Sequence, residues 1–376
     1  MRNPFVITEK YAGPAFFCDR KRETEELVSN VVNHRNTVLI SLRRMGKSGL
    51  VSHMYNSDVI RAGYECFFID IYDTTSLDDF VMLLGKEVVS RLQPYGMKLI
   101  EKFISVVNSI KMVFATDPLT GMPSLEISVQ DIKNPVKTLE QIFAFLESSP
   151  KPCIVAIDEF QQIAEYQEGK KNIATLRTLV QSCVNTRFIF AGSNRRMMSN
   201  LFNSPSEPFF MSCTPIHLGP IDKGEYVGFV SRHFEGAAKR ITADCIEYVY
   251  DKFEGHTWFV QYVFNRLYEM TDAENVATVS MADEAVCYIL ELFSAMFKEM
   301  FVRLSQRQRD LLVALSKEGK TECPTSENFI LKYNLKSASA VQGAMRPLVK
   351  DETVSFQDGA YFITNRFFSL WLSRRY

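Results

Sequence analysis

The sequence predicts an α/β protein, in which a three-layer core with a parallel sheet is followed by a small helical domain and a C-terminal winged helix-turn-helix. Three observations predict this fold. Short apolar runs alternate with helical patterns in the first half of the chain, helical spacing alone continues after Pro220, and hairpin-like alternation comes near the C-terminus. Since parallel strands need crossover connections, such alternation is typical of a sheet covered by helices on both faces.

The short apolar runs suit strands that are buried on both faces of a parallel sheet. Helical patterns lie between them at 76–92, 136–148 and 172–184, and the segment 215–220 is predicted to add a fifth strand. Turn residues at 117–128 predict a surface excursion in the form of a hairpin. The four apolar runs are Val38–Ile40, Cys66–Ile69, Ile154–Ile157 and Phe188–Ala191.

The C-terminal part has the order of elements of a winged helix. Helices are predicted at 291–303 and 306–318, a third helix follows, and the alternating segment "TVSFQDGAYFIT" predicts a hairpin that turns at Gln357-Asp358-Gly359. Together, these patterns divide the chain into three predicted domains. They are the core at 1–220, the helical domain at 221–290 and the winged helix at 291–376.

Composition restricts the function classes. The chain has 376 residues and a formal net charge of -1, so any binding to nucleic acid must be local. Eight cysteines occur without a C-x-x-C pair, which argues against a zinc site or a disulfide framework and favours reduced thiols in the cytoplasm. No run of eighteen apolar residues occurs, so no membrane span is predicted.

The segment "TVLISLRRMGKSGL" at 37–50 has the pattern of a phosphate-binding loop, or P-loop, between a strand and a helix. Gly46 lets the backbone approach a phosphate, Lys47 is expected to bridge β- and γ-phosphates, and Ser48 offers a hydroxyl to Mg²⁺. Ser41 stands where the usual pattern begins with glycine. The loop alone is therefore also compatible with an ordinary helix start.

Nucleotide contacts are predicted along the whole loop. Two arginines precede its glycine, and the sequence leaves open whether they hold a γ-phosphate, a neighbouring subunit or only water. The predicted nucleotide-binding residues of the loop are Arg43, Arg44, Met45, Gly46, Lys47, Ser48 and Gly49.

The segment "PCIVAIDEFQQI" places two adjacent carboxylates at the end of a buried strand. Open α/β sheets bind ligands at this edge. Asp158 is predicted to hold Mg²⁺ together with Ser48, and Glu159 to act as the general base of phosphoryl transfer to water. A single acid at this place would suit a helix cap, but two acids 110 residues after a Gly-Lys-Ser loop favour an ATPase.

A polar strand end in "RFIFAGSNRRM" completes the predicted site. Ser193 is expected to contact the γ-phosphate or orient the attacking water, and is predicted to be catalytic. Arg195 and Arg196 follow as candidates for a charge-stabilising arginine, or equally for a solvated helix start. No guanine-reading N-K-x-D motif occurs, which favours ATP over GTP.

Together these segments resemble the archaeal-type P-loop ATPase family, which belongs to the AAA+-related signal-transduction ATPases with numerous domains (STAND), and the chain is similar to its bacterial members. The resemblance covers nearly the whole chain. The segments that carry it are "NPF", "FFCDRKRETEEL", "SLRRMGKSGL", "AIDEFQQI", "IFAGSN", "EGHTWFVQYV" and "YFITNRFFSLWL".

The resemblance implies a P-loop NTPase core, a helical lid at 221–290, ATP or ADP with Mg²⁺ as ligands, and an adenine pocket near the N-terminal box. Arg20 and Pro4-Phe5 become expected pocket residues. The sequence departs from the family pattern at the box glycine, which is Asp19, and at the lid proline, near Thr257-Trp258. Met211 and Ser212 stand where many members have Gly-Arg.

Three functions are compatible with these residues. The first is a Mg²⁺-dependent switch that binds ATP, hydrolyses it slowly and reports its state through the lid and the winged helix to a protein partner or a second copy. The second is a DNA-binding regulator with a degenerate, non-hydrolysing core, using residues 291–376. The third, a small-molecule kinase, lacks an evident acceptor pocket.

Charge distribution bears on the second function. Residues 301–376 carry twelve Lys/Arg and seven Asp/Glu, a net charge of +5, against -6 for residues 1–300. The candidate recognition helix nevertheless offers only Arg346 and Lys350, with Gln342 as a possible base reader. Because DNA-binding helices usually present more positive charge, protein contact is favoured over DNA.

Overall fold

The computed structural model describes residues 2–8, 11–107, 111–116, 123–128 and 134–376. The chain divides into two compact units. One is Thr8–Ile221, called the core unit below, and the other is Asp222–Tyr376 together with Met1–Ile7, called the helical unit. Within the described ranges, every helix is too short or too polar to cross a membrane.

A five-stranded parallel sheet forms the centre of the core unit. The strands described in this unit are β1 (Thr37–Ser41), β2 (Glu65–Asp70), β3 (Lys111–Thr116), β4 (Pro123–Ser128), β5 (Cys153–Asp158), β6 (Thr186–Gly192) and β7 (Thr214–Leu218). The sheet order is β2-β5-β6-β1-β7. All four predicted strands and the fifth at its edge are therefore confirmed.

Strands β3 and β4 pair separately and antiparallel, with Lys111 opposite Ser128. This pair agrees with the predicted hairpin, although residues 117–122 of the predicted excursion lie outside the described residues.

Helices cover both faces of the sheet. They are α1 (Lys21–Val32), α2 (Lys47–Tyr55), α3 (Asp58–Gly63), α4 (Leu77–Leu92), α5 (Met97–Val106), α6 (Pro135–Glu147), α7 (Gly169–Ser182) and α8 (Arg195–Asn203). Successive residues of β1 point to opposite faces, so Val38 and Ile40 join one buried cluster while Leu39 joins another. Two apolar clusters separated by one sheet are what a three-layer α/β core requires.

Local signals set the helix starts in the core unit. The side chain of Ser76 accepts from the backbone N–H of Asp79, whose carboxylate accepts from the N–H of Ser76 in return, so α4 begins with a capping box. Asn134 caps α6, and Pro135 occupies its first turn, where no N–H is needed. The three helices predicted at 76–92, 136–148 and 172–184 are confirmed near these bounds.

The helical unit contains the remaining elements. Its helices are α9 (Lys223–Glu235), α10 (Ala243–Lys252), α11 (Thr257–Met270), α12 (Val279–Leu292), α13 (Ser294–Val302), α14 (Gln306–Glu318), α15 (Glu327–Lys332), α16 (Ala338–Lys350) and α17 (Arg366–Arg375). Its strands are β8 (Arg240–Ile241), β9 (Val276–Ala277), β10 (Val354–Gln357) and β11 (Ala360–Ile363).

The N-terminal segment packs in the helical unit, which differs from the predicted assignment of residues 1–220 to the core. Phe5 is fully buried there among aromatic side chains that include Phe229, Phe264 and Tyr268. The amide of Asn265 also donates to the carbonyl of Phe5 at 2.6 Å. The apolar area of the Phe5 ring explains the position, and it leaves no exposed part of that ring to line an adenine pocket.

The C-terminal elements form the predicted winged helix. Helices α14, α15 and α16 precede the antiparallel pair β10–β11. Asp358 and Gly359 connect the two strands with φ values of 51° and 82°, which is the two-residue turn with positive φ that hairpins favour.

Candidate functional site

The loop between β1 and α2 has the backbone of a phosphate cradle. Gly46 caps α2 with φ 94°, a conformation that side chains disfavour, and Lys47 begins the helix with only 5% of its surface exposed. The first N–H groups of a helix lack partners within the helix and attract anions. The geometry therefore suits a phosphate at the N-terminus of α2.

Ser41 is accommodated without strain where the usual P-loop pattern begins with glycine. It is the last residue of β1, it is fully buried, and its hydroxyl donates to the carbonyl of Leu42 at 2.7 Å. Because this position needs neither a positive φ nor extra space, serine can stand at the loop entry.

The two predicted metal ligands lie together. The Ser48 hydroxyl, in the first turn of α2, donates to Oδ2 of Asp158 at the end of β5 at 2.5 Å. Asp158 is 3% exposed. Burial raises the pKa of its carboxyl above the ordinary value, Glu159 and Asp70 add to the increase, and Lys47 and the Ser48 hydroxyl oppose it.

These two oxygens fit a magnesium ion. Mg²⁺ prefers oxygen ligands, keeps several waters and is usually held by one or two carboxylates together with substrate phosphates. No cluster of three or more His, Cys, Asp or Glu side chains suitable for a metal occurs among the described residues. Within the described ranges, the protein thus offers a hydroxyl and a carboxylate and no closed cage of protein ligands.

Glu159 is held in an unusual backbone conformation beside Asp158. Its φ is 55°, in the left-handed region, where a non-glycine residue is disfavoured by about 1–2 kcal/mol. Its backbone N–H donates to Oδ1 of Asp158 at 3.0 Å, and its Oε2 accepts from the Ser193 hydroxyl at 2.7 Å. Strain of this kind is concentrated at functional sites.

The end of β6 supplies the third part of the site. Gly192 lies opposite Ile40 of β1 in the parallel register, and Ser193 follows it, so Ser193 stands at the same sheet edge as the loop. Asn194 caps α8 by accepting from the N–H of Met197 at 3.1 Å. The structure therefore brings together Lys47, Ser48, Asp158, Glu159 and Ser193.

Arg43 and Arg44 place two positive charges side by side in the loop, and these charges repel each other. Desolvation and the neighbouring charge of Arg43 lower the pKa of the Arg44 guanidinium below its ordinary value. The Arg43 guanidinium lies 4.8 Å from the centroid of the Tyr72 ring. Two adjacent like charges disfavour each other, so an anionic ligand would relieve their repulsion.

Arg20 is buried inside the core unit, with 4% of its surface exposed. Its guanidinium donates to the carbonyl of Gly219 at 2.6 Å and to the carboxylate of Glu23 at 3.0 Å, and it lies 3.5 Å from the carbonyl of Met45. These contacts tie the loop to the residue that follows β7. A direct contact of Arg20 with nucleotide stays a prediction.

Two residues near the site were not singled out from the sequence. Asp70 ends β2 directly opposite Asp158, and Gln161 donates to Glu159. The signal for Asp70 was available, because "FFID" and "VAID" share the form of an apolar strand that ends in aspartate. Gln161 carried no comparable signal, since glutamine at a helix start is common.

Replacing Asp158 with asparagine is expected to raise the Tm of the ligand-free protein at neutral pH. Because the folded-state pKa is raised, the protonated carboxyl stabilises the fold below the unfolded pKa of about 3.9, and this contribution is lost as the pH rises through the folded-state pKa. The single oxygen of asparagine can accept from the backbone N–H of Glu159, its NH2 group can donate to the Ser48 hydroxyl oxygen, and the substitution removes the desolvated charge.

Differential scanning fluorimetry across a pH series without Mg²⁺ or nucleotide measures this effect. The gain in Tm should be largest near neutral pH and shrink towards pH values of about 4. Asp73→Asn, at an exposed position, is the control and should leave Tm nearly unchanged. A Tm for Asp158→Asn at or below that of the wild type at neutral pH would contradict the assignment of a destabilising charge.

Similar structures have this architecture from end to end. A Walker-type ATPase of Pyrococcus abyssi superposes with a TM-score of 0.65 at 18% identity, covering 98% of this chain and 99% of that one. The ORC2 protein of Aeropyrum pernix, in ADPNP and ADP complexes, gives a TM-score of 0.61 at 11% identity, with 100% and 98% covered. The ORC1 protein of Aeropyrum pernix in complex with DNA gives 0.54 at 10%, with 99% and 96% covered.

Sequence comparison identifies the winged helix as well. Residues 295–374 match the family model described as a probable winged helix domain. No curated protein sequence matches the chain. The chain therefore has the fold of these Walker-type ATPase and ORC structures, an α/β core with a parallel sheet that is followed by helices and a C-terminal winged-helix domain.

Proposed function

We propose that the protein is a Mg²⁺-dependent ATPase that works as a nucleotide switch. The observation that carries this proposal is the arrangement of Ser48, Asp158, Glu159 and Ser193 beside the cradle at the start of α2. The similar ORC2 structures are complexes with ADPNP and ADP, which supports adenine nucleotides as ligands. Each of these side chains then has a distinct role.

In the proposed reaction, water attacks the γ-phosphorus and the bond to the β-phosphate oxygen breaks. Lys47 and the N–H groups at the start of α2 hold the phosphates and offset their charge. Glu159 accepts the proton of the attacking water, and the Ser193 hydroxyl, whose hydrogen is donated to Glu159, orients that water by accepting a hydrogen bond from it. Mg²⁺, when held by Ser48 and Asp158, would neutralise charge that develops on the phosphate oxygens.

Contacts within the helical unit support the reporting part of the proposal. The Glu254 carboxylate, between α10 and α11, pairs with Lys320 at 2.6 Å and with Arg366 at 2.7 Å. Phe367 of α17 packs on Phe253 and Phe259 at centroid distances of 5.3 and 5.0 Å. These contacts join α10 and α11 to the winged helix, so a displacement of these two helices would be passed on to the winged helix.

All eight cysteines are free thiols, which supports a reducing cytoplasmic environment for the protein.

The proposed output is contact with a protein partner or a second copy of the chain. DNA is the alternative output, since the similar ORC1 structure is a complex with DNA. On the exposed face of α16, however, Arg346 and Lys350 are the cations, and the wing tip carries Asp358, so charge supports DNA less well.

One set of measurements tests the proposal. ATP with Mg²⁺ at about a hundred times its Kd stabilises a protein by about 2.7 kcal/mol, which for this chain length is a Tm rise of several degrees. We expect this rise with ATP and ADP, a smaller one with GTP, and slow phosphate release from ATP. Unchanged Tm and no phosphate release, together with salt-sensitive duplex binding, would favour the DNA-binding alternative.

A further inference from the structure

Gln161 is a buried polar residue that none of the proposed steps of ATP hydrolysis uses. It lies in the short 3-10 helix Phe160–Glu165 that follows β5, and 8% of its surface is exposed. Its Nε2 donates to Oε2 of Glu159 at 2.5 Å. Burying an amide costs free energy unless its polar groups are paired, so this placement needs a reason.

The amide is only half satisfied. Within the described part of the chain, the side-chain oxygen of Gln161 is buried without a hydrogen-bond partner. Turning the amide over would place that oxygen against the carboxylate of Glu159, where two acceptors would repel each other. The orientation is therefore dictated by Glu159, and the unpaired oxygen is the cost of donating to it.

Gly192 provides the space for this contact. A Cβ atom at position 192 would lie 2.5 Å from Oε1 of Gln161 and would also overlap with Met198. The glycine before Ser193 thus keeps room for the side chain of Gln161 beside Glu159. The end of β6 and the turn after β5 therefore pack closely, and both contribute donors to the Glu159 carboxylate.

The hydrogen bonds to Glu159 converge on one of its oxygens. Oε2 accepts from Nε2 of Gln161 at 2.5 Å and from Ser193 through the hydroxyl at 2.7 Å and the backbone N–H at 3.3 Å. A carboxylate oxygen offers about two lone-pair positions, so these donors occupy Oε2 fully. The oxygen left to accept a proton from water is Oε1.

We propose that Gln161 is a positioning residue for the general base. Together with Ser193 it anchors Oε2 of Glu159, which fixes the plane of the carboxylate and leaves Oε1 as the single basic position. The inference rests on the proposed ATP hydrolysis and adds to it a residue that acts through Glu159. Misplacement of a reacting group by about 1 Å can reduce a rate by about 100-fold, so a fixed carboxylate matters for turnover.

Gln161→Met tests the inference in the full-length protein. Methionine has a similar length and removes both the donor and the unpaired oxygen. We expect kcat for ATP hydrolysis to fall by about 10- to 100-fold, while KM and the Kd for ATP, measured with a fluorescent analogue, stay within about twofold. Gln161→Glu, which keeps the volume and turns the donor into an acceptor, should lose turnover in the same way.

The neighbouring glutamine is a matched control. Nε2 of Gln162 donates to the carbonyl of Thr74 at 3.3 Å, and no bond from this side chain to the Glu159 carboxylate is described. The backbone N–H of Gln162 donates to the carbonyl of Glu159 at 2.9 Å, and methionine keeps that bond. Gln162→Met should therefore keep the wild-type kcat. Melting temperatures of all variants would identify any loss of folding.

The outcomes separate this inference from the proposed function. If the wild type hydrolyses ATP and Gln161→Met has an equal or higher kcat, the positioning role is wrong and the proposed function stands. If kcat falls together with the affinity for ATP, Gln161 supports the site as a whole and the inference is also overturned. If the wild type itself releases no phosphate, the proposed function fails and the inference fails with it.

Discussion

Lys47→Ala is expected to abolish nucleotide binding, with the Kd for ATP raised by about 100-fold or more. Lys47 begins α2 directly after Gly46 and is only 5% exposed, so its ammonium group stands where a phosphate would meet the helix N-terminus. In P-loop proteins this lysine contacts the β- and γ-phosphates. Alanine removes the charge and leaves the loop backbone in place.

Isothermal titration or equilibrium binding of a fluorescent ATP analogue measures the effect. Lys170→Ala, which removes an exposed lysine at the start of α7, is the control and should bind ATP like the wild type. A moderate loss of Tm is compatible with the prediction, since Lys47 partly offsets the charge of Asp158. Unchanged affinity for ATP in the folded variant would show that the nucleotide, if any, binds elsewhere.

Glu159→Gln is expected to retain ATP and to stop its hydrolysis. The substitution keeps the volume and the hydrogen bond from Ser193, and it removes the group that accepts the proton. General bases typically contribute about 10²- to 10⁴-fold to a rate, so kcat should fall by at least about 100-fold while Kd changes little.

Phosphate release and nucleotide binding on the same preparation measure both quantities. Glu165→Gln provides the matched control, because Glu165 is exposed at the other end of the same short helix and should be dispensable. Normal ATP turnover by Glu159→Gln would show that another group activates the water. Asp70, opposite Asp158 on β2, would then be the next carboxylate to test.

Local patterns were sufficient for much of the fold. Strand β5 was predictable because all six of its residues are buried, which selects a continuous apolar run. The hairpin of the winged helix was predictable because Asp-Gly fits a turn with two positive φ values. The phosphate-binding loop, the Asp158-Glu159 pair and the polar end of β6 were also predictable. Each of them is a pattern of residues that are adjacent in the chain.

Long-range packing decided what the sequence could not. Phe5 is close to the core unit in sequence, yet it is buried among aromatic side chains contributed by α9 and α11. Arg20 satisfies its guanidinium on Gly219, almost two hundred residues away. Such partners are selected by the fit of surfaces that meet only after folding.

The sequence by itself determined the class of the fold, the elements of the core and the residue types at the sheet edge, because hydrophobic period and turn chemistry are local properties. Only the tertiary structure decided that Ser48 meets Asp158 and that Gln161, Ser193 and Gly192 surround one carboxylate. These contacts depend on strand order and register, which bring distant segments to one edge. The hydrogen-bond partners of a buried side chain are set by that arrangement, because a buried polar group can pair only with the groups that the fold places beside it.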